Sequence, residues 1–197
     1  LDPRAARLRP RPQRLGEHSV QRGGRPVTSA ITMPADRCGP GPGRAVKSGS
    51  SLSATFMRNV PEHLGSIVGL MKISAAAVNT NFMYAAAEIA NILADSRAVG
   101  VVVESEFADT VAEAIGSVPE LRFVVSVGEP GDALKEAAER SGIALVDSAE
   151  ALAAASRQRP ENTRSGDDKW ILYTGGTTGH PKGVVWRAAD YYYACLS

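Results

Sequence analysis

Short apolar runs rich in valine recur along the chain and are separated by helix-like segments. Three of these runs, 98–104 (AVGVVVE), 121–127 (LRFVVSV) and 143–146 (IALV), lack the regular polar alternation of a strand with one wet face. Such runs predict strands buried on both faces, and helices between them predict parallel pairing. The predicted fold class is therefore α/β, a partial doubly wound, mostly parallel sheet with flanking helices.

Two segments before these runs carry apolar residues at helical spacing. In 59–73, Pro61 and Glu62 suit a first helical turn, and apolar residues recur at i, i+3, i+4 and i+7. The predicted inner face of this helix consists of Leu64, Ile67, Val68 and Met71. A second helix is predicted over 83–96, with an inner face of Ala85, Ile89, Ile92 and Leu93.

The remaining segments continue the same alternation. Three further helices are predicted at 107–118, 133–140 and 148–156, and two further strands at 75–79 (AAAVN) and 169–173 (KWILY). Several aromatic residues lie towards the end of the chain, and we expect them to pack in a core or an interface rather than to stack on a ligand. They are Trp170, Trp186 and Tyr191 to Tyr193.

The first part of the chain differs from the rest in composition. Residues 1–50 contain ten Arg and Lys against three Asp and Glu, a net charge of +7, although the whole chain carries only +1. We therefore predict two regions, a poorly structured basic segment rich in Arg, Pro and Gly at 1–55 and a partial domain at 56–197. A basic arm could bind nucleic acid, but no aromatic residue precedes Phe56 to stack on bases, so no nucleic-acid partner is predicted.

Cysteine and histidine are few and scattered. Cys38 and Cys195 are far apart, and His18, His63 and His180 follow no ligand spacing, so no metal site and no disulfide are predicted. No apolar run reaches the roughly 18–20 residues of a membrane helix. These features predict a cytoplasmic protein with free thiols and no transmembrane segment.

Both ends of the sequence suggest a fragment. The chain begins at Leu1 without an initiator methionine and stops at Ser197 inside a helix-like stretch that has no stop signal. We expect the chain to be one part of a longer domain.

A glycine-rich loop, TGGTTGHPKG at 174–183, follows the predicted strand at 169–173. Its glycines permit positive φ and close backbone approach to a ligand, and its threonines add hydroxyl donors. These residues are Gly175, Gly176, Gly179 and Gly183 with Thr174, Thr177 and Thr178. No carboxylate between Asp168 and Asp190 neutralises Lys169, Lys182 or Arg187. A loop of inward-facing N–H groups beside a free cation predicts a polyphosphate ligand.

The loop does not match the two commonest phosphate motifs. It lacks the Gly-Lys-Ser/Thr step of the Walker motif, and Pro181 followed by GVVW resumes a strand where a dinucleotide fingerprint would open a helix. The prediction is a strand, a loop and a second strand. A flexible connector is the plain alternative, but a linker would not need Pro-Lys-Gly at its exit. His180 is expected to be an exposed position rather than a proton-transfer group.

The loop resembles the phosphate-loop signature of the acyl-adenylate-forming superfamily, which includes acyl-CoA synthetases, luciferases and the adenylation domains of peptide synthetases. The similarity extends from about Met57 to the end of the chain and includes RNVPEHLGSIVGLMKI and AAAVNTN upstream of the loop. Within the superfamily, TTGHPKGVVWRAAD is most similar to bacterial fatty-acyl-CoA ligases. The resemblance implies part of the large N-terminal domain of an adenylate-forming enzyme.

The resemblance also implies substrates and site residues. The family uses ATP with Mg²⁺ to activate a carboxylic acid, which the resemblance implies is a fatty acid here, as an acyl adenylate that CoA then captures. The residues implied in phosphate binding are Thr174, Gly175, Gly176, Thr177, Thr178, Gly179 and Lys182. The family's adenylation lysine falls beyond the end of this sequence, so no catalytic residue is assigned and the fragment alone is expected to be inactive. Two alternatives stay open, a stand-alone nucleotide-binding or regulatory module and a ligase with an acceptor other than CoA.

Overall fold

A computed structural model of the chain describes residues 52–158, 165–175 and 179–195. In this part of the chain seven strands form one sheet: β1 Leu52–Phe56, β2 Ala76–Asn79, β3 Gly100–Glu104, β4 Phe123–Val127, β5 Ala144–Asp147, β6 Lys169–Thr174 and β7 Lys182–Arg187. The helices are α1 Pro61–Lys72, α2 Ala86–Ser96, α3 Ala108–Ile115, α4 Gly131–Ser141, α5 Ser148–Ala154 and α6 Ala188–Cys195, with a 3₁₀ turn at Ser105–Phe107. The alternation predicted from the sequence is confirmed, with boundaries that differ by a few residues.

The sheet order is β5-β4-β3-β1-β2-β6-β7. Pairing is parallel from β5 through to β6, and only β7 runs antiparallel, against β6. The chain passes from β1 to β2 on one side and then crosses to β3, β4 and β5 on the other. The α/β class with a mostly parallel sheet is therefore confirmed.

Helices cover both faces of the sheet. Val101 and Val103 pack in the main core with residues of α2, α3 and α4, whereas Val102 packs in a separate cluster with Met57, Phe123 and Val125. Successive strand residues point to opposite faces, so these two clusters lie on opposite sides of the sheet. A third cluster, centred on Leu70 and Ala77, places α1 on the face opposite α2.

Strand β1 corrects the predicted boundary between residues 55 and 56. Residues 52–55 belong to the centre of the sheet, paired with β2 and β3, and are not part of a poorly structured segment. Ser53 and Thr55 are buried in this strand although both are polar. Small hydroxyl residues give no hydrophobic signal, which is why the pattern did not identify the strand. Residues 1–51 lie outside the described part of the chain.

The predicted inner face of α1 is only partly right, because Ile67 packs against the cluster of Leu70 and Ala77 whereas Leu64 and Val68 face solvent. Leu64 and Val68 are 67% and 40% exposed, and the buried residues are Ser66, Gly69 and Leu70. Small side chains let the helix approach the sheet closely, and Ser66 Oγ satisfies its own polarity by donating to the Glu62 carbonyl at 2.7 Å. In α2, Ile89, Ile92 and Leu93 are buried as predicted. Ala85 is exposed because it precedes the helix as its N-cap residue.

Helix α6 packs on the β6–β7 hairpin through aromatic rings. The Tyr191 ring meets Trp170 edge-on with centroids 4.4 Å apart, and it lies 6.3 Å from the Trp186 ring. The expected packing role is confirmed for these three residues, whereas Tyr192 and Tyr193 are exposed. No helix in the described ranges is long and apolar enough to cross a membrane.

Candidate phosphate-binding site

The glycine-rich loop connects the two strands of the β6–β7 hairpin. Thr174 pairs with Lys182 at the loop end of the hairpin, and the loop between them extends from the carboxyl end of β6. Ligands of α/β sheets bind beyond this edge of the parallel strands. The predicted strand, loop and strand order is confirmed. Of the predicted site residues, Thr174, Gly175, Gly179 and Lys182 are described, whereas Gly176, Thr177 and Thr178 lie outside the described ranges.

The described glycines of this region differ in backbone conformation and surroundings. Gly179 has φ of +121°, a backbone conformation that L side chains rarely adopt, so positive φ is confirmed at this position. Gly175 does not have a positive φ, and a Cβ built on it would lie 3.4 Å from the Tyr84 hydroxyl. Backbone freedom therefore explains only one of these two loop glycines.

Gly183 serves the packing of the hairpin. It lies opposite Tyr173 in the β6–β7 register, and a Cβ on Gly183 would be 2.9 Å from Tyr173 Cζ and 3.1 Å from Ile171 Cγ2. This packing accounts for a glycine here, and close approach of its backbone to a ligand stays a prediction. The Tyr173 ring lies across the glycine and fixes how the two strands meet.

Tyr173 is itself held by helix α2. Its hydroxyl donates to Asp95 Oδ2 at 2.5 Å, and its ring is part of the main core. Burial, reinforced by the hydrogen bond to the Asp95 carboxylate, raises the pKa of the Tyr173 phenol well above its usual value. The phenol therefore remains a protonated donor across the physiological pH range, and this bond ties the hairpin to α2.

Charge around the hairpin differs from the sequence-based expectation. Arg187 Nη2 lies 2.7 Å from Asp167 Oδ1, and Arg187 Nη1 lies 3.5 Å from Asp190 Oδ2, so this cation is neutralised. The two carboxylates lie on either side of residues 169–189, which contain no Asp or Glu. In the folded chain both approach Arg187. Lys169 lies opposite Arg187 in the strand register, at the end of the hairpin away from the loop. At 3.4 Å per residue this end is about 17 Å from the loop.

Lys182 is the predicted cation that does lie at the loop. It is exposed and opposite Thr174, and it makes no ion pair with any residue in the described part of the chain. A lysine ammonium is a mobile point charge that suits a phosphate ligand. Of the three cations predicted from the sequence, only Lys182 is therefore both unpaired among the described residues and close to the loop.

A second polar cluster at the same sheet edge is satisfied within the protein. His63 Nε2 lies 3.2 Å from Thr55 Oγ1 and 3.1 Å from Asn79 Oδ1, and Thr80 Oγ1 donates to the Thr55 carbonyl at 2.6 Å. These contacts join α1 to the carboxyl ends of β1 and β2. The sequence pattern gave no signal for them, because their members are far apart in the chain.

Comparison with known families and with curated proteins gives matches over most of this chain. The model of the family described as AMP-binding enzyme matches residues 45–197. A medium-chain acyl-CoA ligase, Mig, of Mycobacterium avium is 37% identical over 73% of this chain and 25% of its own length. A 3-oxocholest-4-en-26-oate–CoA ligase of Rhodococcus rhodochrous is 37% identical over 68% of this chain and 23% of its own. The chain thus spans about a quarter of the length of these relatives.

Solved structures give the same result for the fold. The anthranilate CoA ligase AuaEII, in complex with anthranoyl-AMP, superposes with a TM-score of 0.67 at 24% identity, covering 85% of this chain and 29% of that one. The N-terminal domain of FACL13 from Mycobacterium tuberculosis superposes with a TM-score of 0.56 at 29% identity, covering 74% and 33%. The resemblance inferred from the loop is therefore confirmed, and the family match begins at residue 45, before the predicted start at Met57.

Proposed function

The chain belongs to the AMP-binding enzyme family, and we propose that it is part of an ATP-dependent acyl-CoA ligase that activates a carboxylic acid, of the fatty-acid class. The observation that carries this proposal is the loop at the carboxyl end of β6, where Gly179 has a positive φ and Lys182 lacks a protein partner among the described residues. The names of the similar proteins, which are acyl-CoA ligases, support the substrate class.

The proposed reaction has two steps. A carboxylate oxygen of the acid attacks the α-phosphate of ATP, the bond to the β-phosphate oxygen breaks, and pyrophosphate leaves. The thiol of CoA then attacks the acyl carbon of the mixed anhydride, forming a thioester and releasing AMP and a proton. The first step brings an anion to a polyanion, so preorganised donors and positive charge are needed where negative charge accumulates.

In this proposal the loop binds the β- and γ-phosphates. Thr174, Gly175 and Gly179 contribute from the described part, and Gly176, Thr177 and Thr178 complete the cradle through backbone N–H and hydroxyl donors. Lys182 supplies the charge. The described residues contain no group of three His, Cys, Asp or Glu side chains suited to a metal ion. Mg²⁺ is proposed as the companion ion of the triphosphate, and no step assigned to these residues depends on it.

The proposal is tested on the full open reading frame that contains this sequence. Carboxylate-dependent exchange of labelled pyrophosphate into ATP is measured over a panel of acids from acetate to long-chain and steroid carboxylates, with and without CoA. We expect exchange with fatty acids, and acyl-CoA formation only when CoA is added. Exchange without thioester formation would indicate a different acceptor. Nucleotide binding without exchange on any acid would leave the ligase proposal untenable and favour a regulatory module.

Two further parts of the proposal concern partners and location. The partners are the acid, ATP and CoA, with no nucleic acid, and the location is the cytoplasm. Filter binding of the 197-residue chain to DNA and RNA at low salt tests the first part, because phosphate-driven binding would appear there and fall steeply as salt rises.

A further inference from the structure

Polar side chains line one face of α2 and the residue two positions before it. Glu88, Asn91 and Asp95 follow one another at i, i+3 and i+7, which places them along one side of α2, and Tyr84 lies two positions before the helix. We refer to these four residues as the α2 polar face. A neighbouring side of the helix carries the buried Ile89, Ile92 and Leu93.

Three members of the α2 polar face lie against the hairpin that carries the glycine-rich loop. Asp95 accepts the hydrogen bond from the Tyr173 hydroxyl, one residue before the end of β6. Asn91 Nδ2 lies 3.3 Å from His180 Nδ1, at the exit of the loop. The Tyr84 hydroxyl lies beside Gly175, at the start of the loop. One helix face thus contacts the stem and the exit of the loop, and the Tyr84 hydroxyl lies near its start.

The Tyr84 hydroxyl is an available donor. It makes no side-chain hydrogen bond to any described residue, although it is half-buried beside Gly175. Burial raises the pKa of the Tyr84 phenol above its ordinary value, and the Glu88 carboxylate adds to the effect. Glu88 is held in place because its Oε2 accepts from the Ala85 backbone N–H at 2.9 Å. The phenol therefore stays protonated at neutral pH.

From these contacts we propose that the α2 polar face positions the phosphate loop, with Asn91 as a positioning residue at the loop exit and Tyr84 as a hydroxyl donor to a phosphate bound at the loop start. Asn91 holds the loop exit through His180, whereas the Tyr84 hydroxyl has no hydrogen-bond partner among the described residues and lies beside Gly175. A loop held at its stem and its exit has fewer arrangements to give up when an anion binds, so the affinity for phosphates rises. The identity of the ligand rests on the proposed function, whereas the positioning of the loop does not.

The proposal is tested in the 197-residue chain with the variants Tyr84→Phe and Asn91→Ala. Amide order parameters of Gly175 and Gly179 from ¹⁵N relaxation report on the loop ends, and titration calorimetry with ATP and with tripolyphosphate reports on affinity. We expect a lower order parameter at Gly179 in Asn91→Ala, an unchanged one at Gly175 in Tyr84→Phe, and dissociation constants raised about 2- to 10-fold in both variants, as for the loss of one hydrogen bond. Thermal unfolding midpoints should stay close to that of the unmodified chain.

Controls separate positioning from general damage. Tyr192→Phe removes a hydroxyl from an exposed tyrosine of α6 and should change neither measurement. His180→Ala should lower the Gly179 order parameter as Asn91→Ala does, and combining the two should add nothing further, because they remove the same contact.

The outcomes distinguish this inference from the proposed function. If the unmodified chain binds ATP and both variants bind it equally well with unchanged loop amides, the positioning role is overturned. If the unmodified chain binds no phosphate ligand, the exchange assay on the full reading frame still decides the proposed function, and the order parameters alone decide whether the α2 polar face positions the loop.

Discussion

At the scale of single residues, Gly183 shows how a glycine of a ligand loop can serve the scaffold. A Cβ at this position would overlap the Tyr173 ring, and that ring cannot move aside easily because it is buried and bonded to Asp95. We therefore expect Gly183→Ala to lower the free energy of unfolding by about 1–3 kcal/mol, the usual cost of overpacking.

Urea unfolding of the 197-residue chain measures this effect. Gly116→Ala is the matched control, since its nearest neighbour would be 4.0 Å from the new methyl group and its φ is −64°. An equal and small effect of both substitutions would contradict the packing role of Gly183.

Lys182 and Lys169 form a matched pair of cations at the two ends of one hairpin. Loss of a charged contact to phosphate costs about 1.5–3 kcal/mol, so we expect Lys182→Ala to weaken ATP binding by about 10-fold or more. Lys169→Ala should leave binding within about 2-fold, because its position is about 17 Å away. Calorimetric titration with ATP compares the two variants, and equal losses would mean that only overall charge matters.

The residue scale also marks the limit of the sequence-based analysis. Residue type and order predicted the position of the loop and of the strands around it. They also predicted a special backbone conformation at Gly179 and a free cation at Lys182. The neutralisation of Arg187 did not, because Asp167 lies 20 residues from it and approaches only when the hairpin folds. Contacts of Tyr84 and Asn91 with the loop depend on helix placement, which a one-dimensional pattern does not contain.

At the scale of elements, α1 shows that the most apolar face of a helix need not be the buried one. Leu70 is fully buried against the sheet and Leu64 is 67% exposed. We expect Leu70→Ala to cost about 2–5 kcal/mol of unfolding free energy, as for other buried leucines. Leu64→Ala should cost less than about 1 kcal/mol. Parallel urea titrations test the order, and a larger effect at Leu64 would restore the face predicted from spacing.

The junction of β1 and β3 carries an ion pair with a defined pH dependence. Arg58 Nη2 lies 2.5 Å from Glu104 Oε1, and the side-chain hydrogen bond from Arg58 lowers the pKa of the Glu104 carboxyl below its ordinary 4.5. A lowered pKa in the folded state means that the pair stabilises the fold above the ordinary pKa and ceases to do so as pH falls through the lowered value.

Glu104→Gln is therefore expected to reduce stability at neutral pH and to make the remaining stability less sensitive to acid. Unfolding free energies at about pH 7 and about pH 3 give the difference between the variant and the unmodified chain. Glu120→Gln serves as the control, since Glu120 is exposed and makes no ion pair within the described residues. Identical acid sensitivity of both variants would contradict the stabilising role of the pair.

At the scale of the whole molecule, the family match and the sheet disagree with the boundary predicted from composition. The match starts at residue 45 and β1 begins at Leu52. Deletion of residues 1–44 should preserve a cooperative thermal transition, whereas deletion of residues 1–56 should abolish it, because β1 pairs with both β2 and β3. Circular dichroism of the two truncated chains measures the transitions. Cooperative unfolding of the chain that lacks β1 would show that the remaining strands form a stable sheet without it.

The fold class could be predicted because valine-rich strands and intervening helices are strong periodic signals. β1 was missed because its central residues, Ser53 and Thr55, are small and polar, so burial there depends on neighbours from elsewhere in the chain. The local pattern therefore identified the valine-rich strands β3, β4 and β5 more readily than the central strand β1.

The central position of β1 also affects how the chain is made. Synthesis proceeds from the N-terminus, and both partners of β1 come later, the second of them ending at Glu104, roughly fifty residues behind on the ribosome. A nascent strand with two free edges is open to pairing with other chains, and a valine-rich sequence would increase that risk. Polar side chains at Ser53 and Thr55 make the waiting strand less apolar, and the Thr55 hydroxyl gains its side-chain partner only when His63 of α1 packs on this face of the sheet.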